Sequence, residues 1–172
     1  MGVFAGRFSL PLMLSAVVQL GLFDPVEAAG SWKAQVVSAE TKQPLEGVIV
    51  LAWWTKHVRS FGGPSEEYRD SQEVLTGNDG RVTIAPRFFF TLNPLVFFRG
   101  PFLVLFKSGY GYWGSQVWPK DRHVVLAMLR LESLQQRRHY LGLVEMPMFV
   151  VPSERRPLLE NAIVEERRAL GY

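Results

Sequence analysis

The sequence predicts a mainly β protein, an antiparallel β-sandwich with one or two C-terminal α-helices packed on a sheet. Apolar-alternating runs on either side of Asn78-Asp79-Gly80 are typical of a β-hairpin, because Asp-Gly supplies the positive φ that a tight reversal requires. The runs 48–54 and 102–107 read as strands that are apolar on both faces, so both faces must be covered. Residues 157–170 carry the single apolar stripe of an amphipathic helix, which could cover one of them.

The chain is long enough for one good core, with 172 residues of which 48% are hydrophobic. We expect three segments: a signal peptide over 1–28, the β-sandwich over 29–131 and a helical extension over 132–172. Charged residues make up 20% of the chain and the net charge is +3, which indicates neither disorder nor a polyelectrolyte partner. Basic pairs such as Arg137-Arg138 alternate with acidic residues, as solvated helix faces do, so no nucleic-acid partner is predicted.

The N-terminal segment has the pattern of an export signal. Arg7 precedes an apolar run from Phe8 to Leu22, and small residues follow at Val26 and Ala28, which predicts cleavage after Ala28. The alternative is an uncleaved N-terminal anchor, although the apolar run is short for a bilayer span of about 20 residues. The protein is therefore expected outside the cytoplasm, in the periplasm or the extracellular space.

The chain contains no cysteine. Disulfides, thiolate metal sites, a cysteine nucleophile and a lipid-anchor cysteine are thereby excluded. Small extracellular animal domains usually depend on disulfides, so their absence favours a bacterial periplasm or cell surface.

The predicted elements follow one another with turn residues between them. Strands are expected at 31–39, 48–54, 73–76, 81–84, 102–107 and 123–131. A turn is expected at 41–47, a long surface loop at 55–72, and irregular chain carrying core anchors in the aromatic passage 88–101. Helices are expected at 132–144 and 157–170, with Ser153 as N-cap of the second and Gly171 as its C-terminal stop.

Three motifs carry a resemblance to a known family. These are Val36-Val37-x-x-x-Thr41-x-x-Pro44-x-x-Gly47, then Thr76-x-x-Asp79-Gly80, then Lys107-x-Gly109-Tyr110. Over 32–131 the chain resembles the carboxypeptidase regulatory-like domain family of transthyretin-like (prealbumin-like) β-sandwiches, in particular small exported bacterial members. The stretches 55–72 and 88–101 depart from the minimal family domain. The resemblance implies a non-catalytic adhesive, scaffolding or envelope-binding module.

An enzymatic alternative rests on a second resemblance within the same fold. Residues 76–81 are similar to the stretch of 5-hydroxyisourate hydrolase that contributes an arginine, which makes Arg81 the match, and His123 lies in a strand similar to the one that carries the second histidine. Gln35 stands where the first histidine is expected, and the C-terminal Tyr-Arg-Gly-Ser is missing. Because a hydrolytic water needs a base and an oriented partner, we do not predict an enzyme.

No cofactor and no metal are predicted. His57, His123 and His139 are far apart in the sequence and belong to no metal-binding spacing. The sequence also lacks a Gly-x-Ser-x-Gly nucleophile elbow and a phosphate-binding glycine loop.

Aromatic residues in two predicted loops are the candidate binding residues. Phe61 and Tyr68 in one loop, and Tyr112, Trp113 and Trp118 in the other, could stack on sugar rings or form a hydrophobic patch for a partner. The alternative is that these side chains plug the ends of the sandwich.

The sequence as a whole predicts a non-enzymatic, exported binding or assembly module of the cell envelope, whose partner is an envelope protein or a glycan. A carbohydrate-binding module and a small hydrolase are the alternatives. Residues 88–98 are expected in the core or against a partner rather than in a lipid bilayer, and membrane contact is expected only if the N-terminal segment stays uncleaved.

Overall fold

A computed structural model describes residues 31–114, 116, 118 and 123–172. The predicted signal peptide and its cleavage site lie outside the described residues. Seven strands precede two helices: β1 Trp32–Ser38, β2 Ile49–Val58, β3 Ser65–Leu75, β4 Arg81–Ile84, β5 Val96–Phe106, β6 Tyr110–Gly111, β7 His123–Arg130, α1 Leu134–Glu145 and α2 Pro157–Ala169. Two 3₁₀ turns, Met146–Phe149 and Ser153–Arg155, connect the helices.

The strands form two sheets. A four-stranded sheet has the order β4-β1-β7-β6 and a three-stranded sheet has the order β3-β2-β5. All neighbours are antiparallel except β1 and β7, which run parallel with Ala34 opposite Val124. The predicted mainly β sandwich is confirmed, and one of its two sheets is mixed rather than purely antiparallel.

The main core lies between the sheets. In β4 the side chains alternate, with Val82 and Ile84 buried and Arg81 and Thr83 exposed, as a strand with one covered face requires. The buried residues of this core come from β1, β2, β4, β5 and β7 and from the loops at both ends: Ala34, Val36, Leu45, Val48, Val50, Ala52, Trp54, Val82, Ile84, Leu103, Leu105, Trp118, Leu126 and Met128.

A second core covers the other face of the three-stranded sheet. Ile49, Leu51 and Trp53 of β2 pack with Val104 and Phe106 of β5 against the two helices. The helices contribute Tyr140, Leu141 and Val144 from α1 and Leu159 and Ile163 from α2, with Leu131, Val151 and Leu170 beside them. The prediction that the strands at 48–54 and 102–107 are buried on both faces, one of them under the final helix, is therefore confirmed.

The predicted reversal at Asp79-Gly80 is confirmed, but the predicted hairpin is wrong because the two strands that flank the turn do not pair with each other. The chain reverses with the Gly80 amide donating to the Gly77 carbonyl at 2.9 Å, but β3 pairs with β2 and β4 pairs with β1. The Thr76 hydroxyl donates to Leu45 O at 2.6 Å and accepts from Val48 N at 2.9 Å. These bonds fix the position at which the chain passes from the three-stranded sheet to the four-stranded sheet. β3 and β4 consequently belong to different sheets.

The predicted surface loop over 55–72 is mostly strand. Only residues 59–64 connect β2 to β3, and cross-strand polar pairs occupy the remainder. Lys56 Nζ lies 3.1 Å from Glu67 Oε2, and His57 Nε2 lies 3.4 Å from Glu66 Oε1. Opposite charges across a strand pair stabilise a sheet without an apolar pattern, so the polar composition concealed the strands.

The aromatic passage 88–101 is irregular only until Val96, where β5 begins. Phe89 is partly buried and packs its ring 6.3 Å from that of Trp54, so it is an anchor as expected. Phe88 and Phe90 are exposed, and the prediction of core anchors is wrong for these two.

The helix boundaries are set by local capping. α1 begins with a capping box in which the Ser133 side chain accepts from the Gln136 amide. Ser153 is not the N-cap of α2, because it opens a 3₁₀ turn and α2 starts later, at Pro157. Gly171, at φ +80°, follows the last helical turn as predicted.

Candidate functional site

The five predicted binding residues do not form one surface. Phe61 lies in the β2–β3 connection and is fully exposed, whereas Tyr68 is half-buried on β3 with its hydroxyl 2.9 Å from Ser71 Oγ. Trp118 is only 4% exposed and packs in the main core, 6.0 Å from the Trp32 ring. The proposed stacking role is therefore excluded for Trp118, which closes the sandwich instead. Tyr112 and Trp113 remain together.

Tyr112 and Trp113 border a groove of about 170 Å³ between β5, the residues after β6 and helix α1. We call it the aromatic groove. Its lining consists of Val104, Tyr112, Trp113, Gly114, Gln116, Tyr140, Leu143 and Val144. The Trp113 side chain is 48% exposed, and its ring centroid lies 5.4 Å from that of Tyr140 at 46°. One face of an indole is thus supported by protein while much of the ring stays accessible.

Two glycines allow this arrangement. A Cβ at Gly111 would overlap the six-membered ring of Trp113, and a Cβ at Gly114 would overlap the phenol of Tyr112. The backbone is therefore in direct contact with both rings, which fixes their orientation. In the sequence the signal for this contact is Gly111-Tyr112-Trp113-Gly114, an aromatic pair between two glycines.

The two tyrosines that line the groove are uncharged at neutral pH. Tyr140 is buried, its hydroxyl donates to Leu105 O at 2.5 Å, and burial raises the pKa of its phenol above the usual range. Burial also raises the pKa of Tyr112. A neutral aromatic lining suits the apolar face of a sugar ring or a proline or aromatic side chain, and it does not suit an ion.

The residues matched to the hydrolase meet on the outer face of the four-stranded sheet. Gln35 of β1 lies opposite Arg81 of β4, and Lys33 lies opposite His123 of β7. Together with Thr83 these residues line a concavity of about 410 Å³. Gln35 donates from Nε2 to Asp79 O at 3.0 Å. An amide cannot accept a proton at neutral pH, so the position of the first histidine supplies no base.

Neither a metal cluster nor a spanning helix is found in the part of the chain that the structure describes. Across 31–114, 116, 118 and 123–172, no three His, Asp or Glu side chains are grouped so that they could hold a metal ion. His57 instead stacks on Phe97 at 5.1 Å, with its Nε2 2.9 Å from Thr55 Oγ1. No helix within these ranges is long and apolar enough to cross a membrane.

A second surface was not predicted. Exposed apolar side chains lie in the β2–β3 connection and in the segment between β4 and β5: Phe61, Phe88, Phe90, Leu92 and Leu95. We call these five residues the apolar tip. The sequence signal was the cluster of apolar residues between Pro86 and Pro94, in a passage that was expected in the core or against a partner.

Comparison with known proteins gives little to add to this geometry. No family model matches the chain, and no curated protein does. Among similar solved structures, a streptococcal ancillary pilin shares 17% identity at a TM-score of 0.36, covering 60% of this chain and 30% of that one. The group B streptococcus pilus 2b backbone protein shares 16% at 0.38, covering 62% and 43%.

The C-terminal domain of the shaft pilin spaA from Lactobacillus rhamnosus GG shares 13% identity at a TM-score of 0.35, covering 59% of this chain and 97% of that one. The chain thus spans less than half the length of the first two pilins. At such TM-scores and identities we transfer neither fold nor function from the pilins.

Proposed function

We propose that this protein is a non-enzymatic, exported binding or assembly module of the cell envelope and that it holds its partner in the aromatic groove. The observation that carries the proposal is the Trp113 ring, half exposed and supported from behind by Tyr140. Export is supported by the sequence pattern of residues 1–28. An aromatic ring held in one orientation loses little conformational freedom when a ligand binds, which favours affinity.

We further propose membership of the carboxypeptidase regulatory-like domain family. The turn residues of the family pattern support it, since Gly47, Gly80 and Gly109 all take positive φ at ends of strands. Lys107 of the third motif donates from Nζ to Glu46 O in the first motif at 2.7 Å, so two motifs form one contact. These turn conformations and this contact support the proposed membership.

The partner in this proposal is an envelope protein. The test is capture from solubilised native envelope by the immobilised chain, compared with Trp113→Ala and with Phe149→Ala, which removes a still more exposed aromatic side chain elsewhere. We expect a retained protein that disappears with Trp113→Ala and persists with Phe149→Ala. Equal retention by all three proteins would exclude the groove as the binding site.

A glycan is the alternative occupant of the same groove, because sugar rings stack on exposed indoles. Binding of the chain to a glycan array distinguishes a glycan from a protein partner. Hits that vanish with Trp113→Ala would replace the protein partner by a carbohydrate. An array without hits would remove the glycan alternative.

A hydrolase of the 5-hydroxyisourate type is the second candidate function. It is favoured by one observation, that Arg81 and His123 line the same concavity on the four-stranded sheet, although Gln35 occupies the position of the first histidine. Incubation of the purified chain with 5-hydroxyisourate tests it, with Arg130→Ala as the control for Arg81→Ala. Turnover that Arg81→Ala alone abolishes would replace the non-enzymatic proposal.

A further inference from the structure

The apolar tip brings two segments to one end of the sandwich. β2 ends and β5 begins there, with Val58 opposite Val96, and the Arg59 amide donates to Leu95 O at 2.8 Å. This bond ties the β2–β3 connection, which carries Phe61, to the segment that carries Phe88 and Phe90. The five side chains therefore belong to one surface formed by two neighbouring loops.

Four of the five side chains of the tip are almost completely exposed to solvent. Phe88 is 79% exposed, Phe90 82% and Leu92 87%, and Phe61 is fully exposed. Single exposed apolar residues are normal on soluble proteins, but a contiguous set of large ones marks an interaction site. Phe89, between two of them, is anchored on Trp54 and Phe98, at 6.3 and 5.0 Å, so the segment is held in place.

Arginines surround the tip. The guanidinium groups of Arg59 and Arg99 lie 5.0 and 5.2 Å from the centroid of the Phe97 ring, and that of Arg69 lies 5.5 Å from the Phe89 ring. All three side chains are exposed, and none forms an ion pair with another described residue.

Two of the acidic groups of the same strands are already paired with basic side chains. Glu67 lies 3.1 Å from Lys56 Nζ and Asp70 lies 2.6 Å from Arg87 Nε, whereas Glu66 faces His57, which supplies no fixed positive charge. Three arginines, whose described side-chain partners are aromatic rings, against this one carboxylate leave a net positive charge at this end of the sandwich. Such a surface complements an anionic partner.

The chain enters the sandwich at this end. β1 begins at Trp32, opposite the last residue of β4, and the β4–β5 segment with Phe88 and Phe90 follows directly.

We infer that the apolar tip docks on an anionic lipid bilayer surface. Phe61, Phe88, Phe90 and Leu92 enter the boundary between headgroups and acyl chains, and Arg59, Arg69 and Arg99 reach lipid phosphates. Phenylalanine and leucine side chains bury apolar area at this boundary, and arginines suit it because the apolar stem can lie along the acyl chains while the guanidinium stays among the headgroups. Basic residues near the surface add attraction to anionic lipid. The inference does not depend on the occupant of the aromatic groove.

The absence of cysteine makes a site-specific test direct. Phe90→Cys places a single fluorescent label at the tip, and Asn78→Cys places one in the loop between β3 and β4, at the other end of the sandwich. The full chain is added to phosphatidylglycerol-containing vesicles or to pure phosphatidylcholine vesicles whose lipids carry a quencher. We expect quenching at position 90 and not at position 78, on anionic vesicles and not on neutral ones.

The arginines are tested on the same label. Arg59→Gln and Arg99→Gln should each lower the equilibrium constant for docking about fivefold, whereas Arg130→Gln, at the far end of β7, should leave it unchanged. Equal quenching at positions 90 and 78, or equal quenching on both vesicle types, would overturn the inference. So would protection of the label at position 90 by added envelope protein alone, which would assign the tip to a protein partner.

Discussion

Gly80 occupies a backbone position that tolerates little change. It takes φ +70°, and a Cβ there would overlap the Val36 carbonyl oxygen and lie 3.1 Å from Pro44 Cβ. We expect Gly80→Ala to lower the free energy of unfolding by about 2–4 kcal/mol, through strain and overlap together. Urea unfolding measures this change in the free energy of unfolding.

Gly142→Ala is the control. Nothing lies within 4 Å of its Cβ position, and alanine at this helical site should raise the free energy of unfolding by about 1 kcal/mol. A Gly80→Ala variant whose free energy of unfolding is unchanged would contradict the turn geometry.

The ion pair between Arg137 of α1 and Glu166 of α2 makes stability depend on pH. Arg137 Nε lies 2.8 Å from Glu166 Oε1. Burial acts to raise the pKa of Glu166, but hydrogen bonds from Arg137 and Ser108 and the charge of Arg137 outweigh it and hold that pKa below its usual range. Because the folded-state pKa is the lower one, the stabilisation is complete above the unfolded-state pKa and is lost as pH falls through the folded-state value.

We therefore expect Glu166→Gln to cost about 1–3 kcal/mol of unfolding free energy at pH 7. The difference from the unmodified chain should shrink as pH falls, because protonation of Glu166 has the same effect as the substitution. Urea unfolding at a series of pH values measures this. Glu145→Gln, which breaks an exposed pair with Arg167, should cost less than about 1 kcal/mol. A difference that is constant with pH would exclude the ion pair as its cause.

Single-residue burial was the least predictable property of this sequence. Trp113 and Trp118 lie five positions apart in one aromatic stretch, yet the first is half exposed and the second is in the core. Outside regular structure no periodicity tells an inward side chain from an outward one. The same limit applies to Phe88, Phe89 and Phe90, of which only the middle one packs inward.

At the level of elements, the start of α2 depends on a strand. Arg156 makes no side-chain cap, and the Leu158 and Leu159 amides instead donate to Glu73 of β3, at 2.8 and 2.9 Å. A carboxylate at a helix N-terminus also interacts favourably with the helix dipole. We expect Glu73→Gln to cost about 1 kcal/mol in urea unfolding, whereas Glu154→Gln, in the 3₁₀ turn just before the helix, should cost less. An equal loss of unfolding free energy in the two variants would contradict the capping role of Glu73.

The packing of α2 on the three-stranded sheet has its own test. Ile163 is fully buried against that sheet, and its neighbour Val164 is 45% exposed. Ile163→Ala should lower the free energy of unfolding by about 2–4 kcal/mol, and Val164→Ala should change it by less than about 0.5 kcal/mol. Equal effects would mean that the helix does not cover the sheet.

Strands and helices were predictable where apolar residues marked them. The runs in β2 and β5 and the stripe in α2 specified which elements exist and that the helix covers a sheet. Pairing was not predictable in the same way, because Asp79-Gly80 specifies a reversal and not a neighbour. The polar cross-strand pairs of 56–67 carried no apolar signal, so a strand pair was taken for a loop.

At the scale of the whole molecule, the aromatic groove and the apolar tip involve different elements. The groove lies between β5, α1 and the residues after β6, whereas the tip comes from the connections that follow β2 and β4. Substitutions at sites without shared contacts act independently. We expect Trp113→Ala to leave vesicle docking unchanged and Phe90→Asp to leave partner capture unchanged, with the double variant losing both. Loss of both functions in either single variant would indicate one shared site.

The fold class and the helical cover followed from the sequence, whereas the location of binding surfaces did not. Of the five aromatic residues predicted to bind, the structure leaves Tyr112 and Trp113 in a groove and Phe61 in a different surface. Surfaces arise from chain segments that only the topology brings together, such as 59–64 and 85–95. No local pattern in the sequence contains that information.

The parallel contact between β1 and β7 has a consequence for biogenesis. β7 is inserted between β1 and β6, so the four-stranded sheet has no continuous hydrogen-bonded ladder until residues 123–130 have been synthesised. Pairings this distant in sequence form slowly, because the intervening chain must first lose its freedom. The three-stranded sheet, whose last strand ends at Phe106, can therefore form before the four-stranded sheet is complete.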